Sequence, residues 1–256
     1  MLPVHWVHTP EASVAKISIC RSAAVPVDWQ VHLTEEHVGT HTYRLWSLAS
    51  FEAASADLYG QLRGRGSPAL RDDLSPMFGV MWGAARVLAE WVDRVGPRLQ
   101  GARVLELGCG LALPSLVAAR HGADVVATDQ HPDTGALLAR NAALNGVQLR
   151  YETLDWRRPR DLGRFDWVLA SDVLFARELP ALVVQTMAGA MAPDGVGWLA
   201  DPGRTWASEA EQAADALGLP WRLEVDAAGG EEAFVWCFGQ RAVAAPVSSA
   251  SPPGQS

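Results

Sequence analysis

Lysine is almost missing from this chain. Lys16 is the only one in 256 residues, so arginine supplies nearly all of the 21 basic side chains. That bias reads as genome composition rather than mechanism. The 29 acidic residues leave a formal net charge of −8, and no basic footprint stands out, which argues against a general nucleic-acid binder. Cysteine is scarce as well. Cys20, Cys109 and Cys237 are far apart and odd in number, which speaks against a disulfide or zinc framework and fits reduced thiols in a cytoplasmic protein. No apolar run is long enough to span a bilayer, so no membrane partner is expected. The start, Met1-Leu2-Pro3-Val4-His5-Trp6, lacks the charged head and apolar stretch of a secretory signal. Internal repeats are absent too.

What is present is a single large core with an extension. Hydrophobic residues make up 49% and charged residues 20%, the balance of a soluble α/β domain. From about residue 103 to 240, apolar strands alternate with amphipathic helices. Strands are expected at 103–107, 124–128, 147–154, 165–170, 195–200, 221–226 and 232–239, and helices at 113–121, 133–145, 178–192 and 205–217. Such alternation builds a mostly parallel seven-stranded sheet with helices on both faces. The last two strands flank Gly229-Gly230 with no helix between them, so they should close the sheet as an antiparallel hairpin.

The first 75 residues read less clearly, as an N-terminal extension that packs over the strand ends and shapes a substrate entrance. Residues 15–20 and 29–33 suit paired strands, and 48–62 a helix, followed by a break at Gly64-Arg65-Gly66-Ser67-Pro68. His37 and His41 are four apart and would share a helical face; without an acidic third ligand they do not suggest a metal. A helix over 80–93 opens the main domain, 76–241, and the Pro- and Ser-rich stretch 242–256 reads as a disordered tail.

The densest signal lies at Val104-Leu105-Glu106-Leu107-Gly108-Cys109-Gly110, where a strand meets a glycine turn and then a helix. Gly108 and Gly110 let the backbone approach a ligand, and the helix that follows offers unpaired N–H groups. A dinucleotide fingerprint would have a third glycine three residues beyond Gly110, where Leu113 stands, so an NAD-type oxidoreductase is disfavoured. Glu106 before the turn would repel a pyrophosphate but attract an amino group. Asp129, ending the next strand, is placed to accept hydrogen bonds from a ribose. A ligand with a ribose and a cationic amino-acid part fits both, and S-adenosylmethionine has these parts. Cys109 sits within the turn as a small space-filler.

Glu106-Leu107-Gly108-Cys109-Gly110-Leu111-Ala112-Leu113-Pro114-Ser115 resembles motif I of the class I S-adenosylmethionine-dependent methyltransferases, most of all methyltransferase family 16, with its seven-β-strand protein-lysine methyltransferases. The resemblance runs from about 78 to 241. Phe78-Gly79-Val80-Met81-Trp82-Gly83 is similar to the family's helix start, whose Trp lines the cofactor site. Leu154-Asp155-Trp156 resembles the segment that closes over adenine. Asn141 to Asn145 is typical of the second helix, and Ser171-Asp172-Val173-Leu174-Phe175 of the segment after the fourth strand. Two departures are Ala112, where another glycine is common, and Gly83, where a proline is frequent.

The resemblance implies a Rossmann-like fold and S-adenosylmethionine held by Trp82, Glu106, Gly108, Cys109, Gly110, Asp129, Asp155, Trp156 and Ser171. Asp172 and Phe175 become the candidate catalytic residues, with no metal. Asp172 would orient an incoming amine and Phe175 would wall the channel. Arg204, in Asp201-Pro202-Gly203-Arg204, is either a substrate contact or part of an ordinary turn. The expected reaction is methyl transfer to nitrogen, with a protein lysine as acceptor. A small-molecule amine and a cofactor-binding module without turnover are the alternatives.

Overall fold

In the computed structural model, residues 14–21, 24–63, 75–158 and 160–240 are described. The expected break at 64–68 and the tail at 242–256 lie outside them. Two sheets organise the chain. The first is antiparallel, in the order β1 (Val14–Arg21), β2 (Ala24–Val38), β3 (His41–Leu48). It leads into α1 (Phe51–Arg63), a 3-10 turn (Pro76–Gly79) and α2 (Gly83–Arg94).

The second sheet has seven strands. It is built from β4 (Arg103–Leu107), β5 (Asp124–Asp129), β6 (Arg150–Thr153), β7 (Phe165–Ser171), β8 (Met191–Asp201), β9 (Trp221–Ala228) and β10 (Glu231–Phe238). Between them run α3 (Leu113–Arg120), α4 (Thr134–Leu144), α5 (Leu179–Ala190) and α6 (Ser208–Ala216). The spatial order is β6-β5-β4-β7-β8-β10-β9. Pairs from β6 through β8 are parallel, while β10 runs antiparallel to both β8 and β9. The closing hairpin is the one the missing helix predicts. Strand order reverses beside β4, and that switch point opens a crevice at the carboxyl ends of the strands.

Alternation along each strand sends side chains to two cores. Val104, Val125, Trp167 and Trp198 join the cluster under α2, α3 and α4, whereas Leu105, Leu107, Val126 and Val168 pack beneath α5 and α6. Strands buried on both faces explain their nearly continuous apolar runs.

Several expectations are corrected. The helix expected from residue 80 starts at Gly83, because Val80 and Trp82 are extended (ψ 142° and 147°). The strand expected over 147–154 pairs only at Arg150–Thr153. Met191–Asp201 begins four residues earlier than expected, after α5 ends. His37 and His41 lie not on a helix but on the β2–β3 hairpin, where Val38 pairs with His41 around the Gly39-Thr40 turn. Among the described residues no group of metal-ligating side chains is gathered.

The β2–β3 hairpin packs on α4 and α2, and its inward residues Val31, Val38, Tyr43 and Leu45 are buried in the first core. Side-chain amides complete the join. Asn141 accepts the N–H of Trp46 at 2.8 Å and donates to its carbonyl at 3.2 Å. One turn on, Asn145 does the same to Arg44 at 3.0 and 2.8 Å. Two amides four apart, Asn141 on α4 and Asn145 at its C-cap, thus pair with alternate residues of β3, as another strand would.

Candidate active site

The glycine turn between β4 and α3 floors a cavity of about 280 Å³. Gly108 (φ 64°) and Gly110 (φ 51°) adopt left-handed backbone there. A Cβ on Gly108 would lie 2.7 Å from Val173 and 3.2 Å from Trp156; one on Gly110 would lie 3.3 Å from the Phe78 carbonyl. The turn is therefore bare because its neighbours leave no room. Ala112, also left-handed (φ 60°), precedes the first residue of α3. Pro114 suits the first turn of that helix, where its missing N–H costs nothing.

Asp129 ends β5 beside the turn. Its Oδ2 accepts the Gly110 N–H at 3.1 Å and its Oδ1 the His131 N–H at 2.9 Å. Burial pushes its carboxyl up, and those backbone donors pull it back. The Thr134 hydroxyl and the Gln130 N–H pull in the same direction. Trp82, Gly108, Cys109, Gly110, Asp129, Trp156, Ser171, Asp172 and Phe175 all line this one cavity. Their positions in the chain run from 82 to 175, and the fold brings them together. Burial raises the Cys109 thiol well above its usual range, so it stays an uncharged filler in the turn.

Glu106 and Asp155 are not on the cavity wall. Glu106 points to the same face of β4 as Val104, so its side chain runs beneath α3 instead of towards the ligand space. There Oε2 accepts the Ser115 N–H at 3.1 Å and the Ser115 hydroxyl. Burial raises its carboxyl to about 8, against those two donors, and its Oε1 has no partner among the described residues. Asp155 turns outward to Arg157 (2.9 Å) and takes the Arg157 N–H at 3.0 Å. Its carboxyl is lowered by these contacts, which outweigh its partial burial.

At the β7 end, Asp172 sits in left-handed backbone (φ 58°), a conformation that asparagine and aspartate tolerate better than most residues. Its Oδ2 accepts the Ala84 N–H of α2 at 2.8 Å, and its Oδ1 accepts Arg204 at 2.7 Å. Arg204 also reaches Asp201 at 2.7 Å. Burial raises Asp172 while Arg204 and the Ala84 N–H hold it down, the net direction being upward. Two carboxylates thus share one guanidinium at the rim of the cavity.

Two wall residues, Phe78 and His131, carried no assigned role in the sequence, and a third, Arg204, was open between a substrate contact and an ordinary turn. Phe78 stacks on His131 with centroids 4.2 Å apart, and Trp29 of β2 meets both rings edge-on at 5.7 and 6.2 Å. Trp29 in turn donates to Asp133 at 2.9 Å. The signal for His131 was its place two residues after Asp129, on the same strand-end loop. Arg204 is the third, and it enters the wall while anchored to Asp172 and Asp201.

Comparison with known proteins follows the same line. The protein N-lysine methyltransferase METTL21A of Danio rerio is 35% identical over 116 residues, covering 42% of this chain and 53% of that protein. The protein N-terminal and lysine N-methyltransferase EFM7 of Candida albicans is 30% identical over 126 residues, covering 40% and 48%. The chain thus spans about half the length of the curated relatives it matches. Among solved structures, the Thermus thermophilus 16S rRNA N2 G1207 methyltransferase shares the fold, with a TM-score of 0.58 at 16% identity over 86% of this chain and 53% of that one. A magnesium protoporphyrin IX methyltransferase from Synechocystis gives 0.52 at 17% identity over 74% and 95%. The family model described as lysine methyltransferase matches residues 71–205, more than half of the sequence and the whole cavity wall, and the chain belongs to that family.

Proposed function

We propose that the protein is an S-adenosylmethionine-dependent methyltransferase whose acceptor is a lysine side chain of another protein. The single observation that carries the reading is the joint presence of the bare turn and Asp129 in one cavity with Trp82, Trp156 and Asp172. The residues fit the cofactor. Gly108 and Gly110 line the cavity with bare backbone, Asp129 ends β5 beside them where a ribose would meet its carboxylate, and the two indoles offer flat apolar walls.

When bound, the cofactor supplies a methyl group on a positively charged sulfur, and the protein supplies alignment and exclusion of water. A lysine must present a neutral amine, although its ordinary pKa near 10 keeps it protonated in water. Asp172 and Asp201 against Arg204 leave the rim one negative charge in excess, which favours a cation's arrival. With Arg204 and the Ala84 N–H already on Asp172, its carboxylate orients the amine through remaining lone pairs and is not itself a free base. Phe175, 46% exposed at the rim, leaves the approach open to a side chain carried on a large partner.

The relatives' names support a protein acceptor, since METTL21A and EFM7 are both named for lysine methylation. The leading region belongs to the same proposal: through Trp29 it backs the Phe78–His131 wall on the cofactor side. A small-molecule acceptor is the second reading, favoured by 32% identity over 118 residues to a ubiquinone biosynthesis O-methyltransferase of Xanthomonas axonopodis. Incubation of cell extract with the enzyme and methyl-labelled cofactor separates the two. Discrete protein bands yielding methyl-lysine on hydrolysis support the first, and label confined to small molecules overturns it.

A further inference from the structure

Four large hydrophobic side chains are exposed among the described residues: Phe175, Leu217, Leu223 and Val225. Phe175 belongs to the cavity rim. The other three gather at the opposite margin of the large sheet, around β9. Leu223 (39% exposed) and Val225 (55%) point to one face of that strand, and Leu217 (48%) ends α6 beside it. β9 is an edge strand, paired with β10 on one side only. An eight-residue edge bearing exposed apolar side chains leaves a row of backbone N–H and C=O groups able to pair with another strand.

Proteins usually blunt such an edge with a proline, a bulge or an inward charge. Here β9 pairs with β10 in continuous register from Trp221 to Ala228, and a proline stands only before its start, at Pro220. Arg222, Glu224 and Asp226 do point inward beneath α2, but each is ion-paired within the chain, Asp226 to Arg94 and Arg222 to Glu224. We propose that β9 is a homodimer interface, in which two copies of the chain join edge to edge and continue one seven-stranded sheet into the next.

The side chains select a register. In an antiparallel pair, residues directly opposite share a face, so a two-fold axis through the new pair passes through a single residue position. An axis through Glu224 sets Glu224 against itself, and one through Val225 sets Glu224 against Asp226. Both oppose like charges, which destabilises a cross-strand pair. An axis through Leu223 sets Leu223 against Leu223, Arg222 against Glu224 twice, and Trp221 against Val225 twice. Only this register of the three is complementary in both charge and apolarity. Arg222 and Glu224 already form an ion pair within one chain, so the dimer would gather an alternating cluster of four charges. Pro220 then falls opposite Asp226 and ends the ladder, because proline has no N–H to give. A contact of this length belongs with small, concentration-dependent interfaces rather than obligate ones.

The join leaves the cavity free, since no residue of β9 or β10 lines it. Sedimentation velocity of the full chain from about 1 to about 200 μM tests the proposal; the range brackets the weak affinities expected of small interfaces. The expected result is a shift from monomer towards dimer as concentration rises. Leu223→Lys, which sets two positive charges face to face on the axis, should weaken dimerisation by at least about tenfold. Arg222→Glu alone should do the same, and Arg222→Glu with Glu224→Arg should restore the wild-type constant. Leu223 is partly exposed, so its substitution should leave the fold intact, which circular dichroism and unchanged S-adenosylhomocysteine binding would verify. A wild-type chain that stays monomeric throughout overturns the proposal. So does a dimer that Leu223→Lys does not weaken, or a double reversal that fails to rescue. None of these readouts depends on methyl transfer.

Discussion

Arg204 reaches back across 32 residues of chain to hold Asp172, Nη2 to Oδ1 at 2.7 Å, while its other terminal nitrogen holds Asp201. Asp172 and Asp201 have side chains 5% and 0% exposed, so the guanidinium neutralises charge that water does not reach. Removing one partner of such a group strands the other. Asp172 also supplies the acceptor for Ala84 near the start of α2, so one carboxylate ties β7, α2 and the segment after β8 together at the cavity rim.

The first prediction concerns that tie. Asp172→Ala should cost about 3 kcal/mol or more, because it leaves a buried N–H and a half-paired arginine and puts alanine into left-handed backbone. Asp172→Asn keeps a side chain suited to that backbone and an oxygen for one donor, so it should cost roughly half as much. Both should lower methyl transfer to extract protein by at least about a hundredfold, the scale for losing a positioned polar group. Urea unfolding and label incorporation measure the two effects. A fully active Asp172→Asn would remove Asp172 from the reaction.

Glu106 gives a pH dependence of defined sign. Its folded carboxyl titrates near 8, raised from an ordinary 4.5 by burial. The folded state therefore holds a proton that the unfolded chain has released. This contribution is complete below about pH 4.5, declines as pH rises and is lost once pH passes about 8. Glu106→Gln mimics the neutral form at every pH. Relative to the wild type it should gain stability steadily between pH 5 and 8 and level off above. Parallel pH curves for the two proteins, by chemical denaturation, would show that Glu106 is ionised when folded.

The turn makes a paired prediction. Gly110→Ala adds left-handed strain, about 1–2 kcal/mol, and presses a methyl to 3.3 Å from the Phe78 carbonyl. Ala112→Gly does the reverse at φ 60°, but it deletes a buried methyl worth about 0.8 kcal/mol and loosens the unfolded chain. Gly110→Ala should thus weaken S-adenosylhomocysteine binding by tenfold or more, whereas Ala112→Gly should change stability by less than about 1 kcal/mol. Calorimetry and thermal melts separate them.

Local chemistry was readable where one segment carried it. Strand, glycines and helix start around Gly108 all lie within a dozen residues, and the sequence shows them directly. The burial of Glu106 was missed although its cause is also local: alternation on β4 puts it on the Val104 face, beneath α3. β3 was missed for a different reason. Tyr43 and Leu45 do alternate with Thr42 and Arg44, but the strand's inward face is small, and beyond its pairing with β2 it packs on a helix far along the chain. Asp155 was drawn outward by Arg157, two residues away, a competition between neighbours that a motif does not show. Arg204 stayed ambiguous because its partner, Asp172, precedes it by a whole helix and strand.

The last prediction tests that long-range join. Asn141 is fully buried and pairs with both backbone groups of Trp46. Asn141→Asp keeps the acceptor and the shape but replaces the donor with a buried charge facing the Trp46 carbonyl. Burying an unpaired charge costs far more than one lost hydrogen bond, so a loss of about 3 kcal/mol is expected at neutral pH, shrinking as acid protonates the new carboxyl. Asn145→Asp sits at the more exposed end of the same clip and should cost about 1 kcal/mol. Hydrogen exchange then reports where the damage goes. If the β2–β3 hairpin is held to α4 by these amides, Asn141→Asp should speed exchange at β3 amides while β4 and β5 keep their protection. Equal acceleration in both sheets would mean that the two unfold as one unit and that the clip contributes only to the global fold.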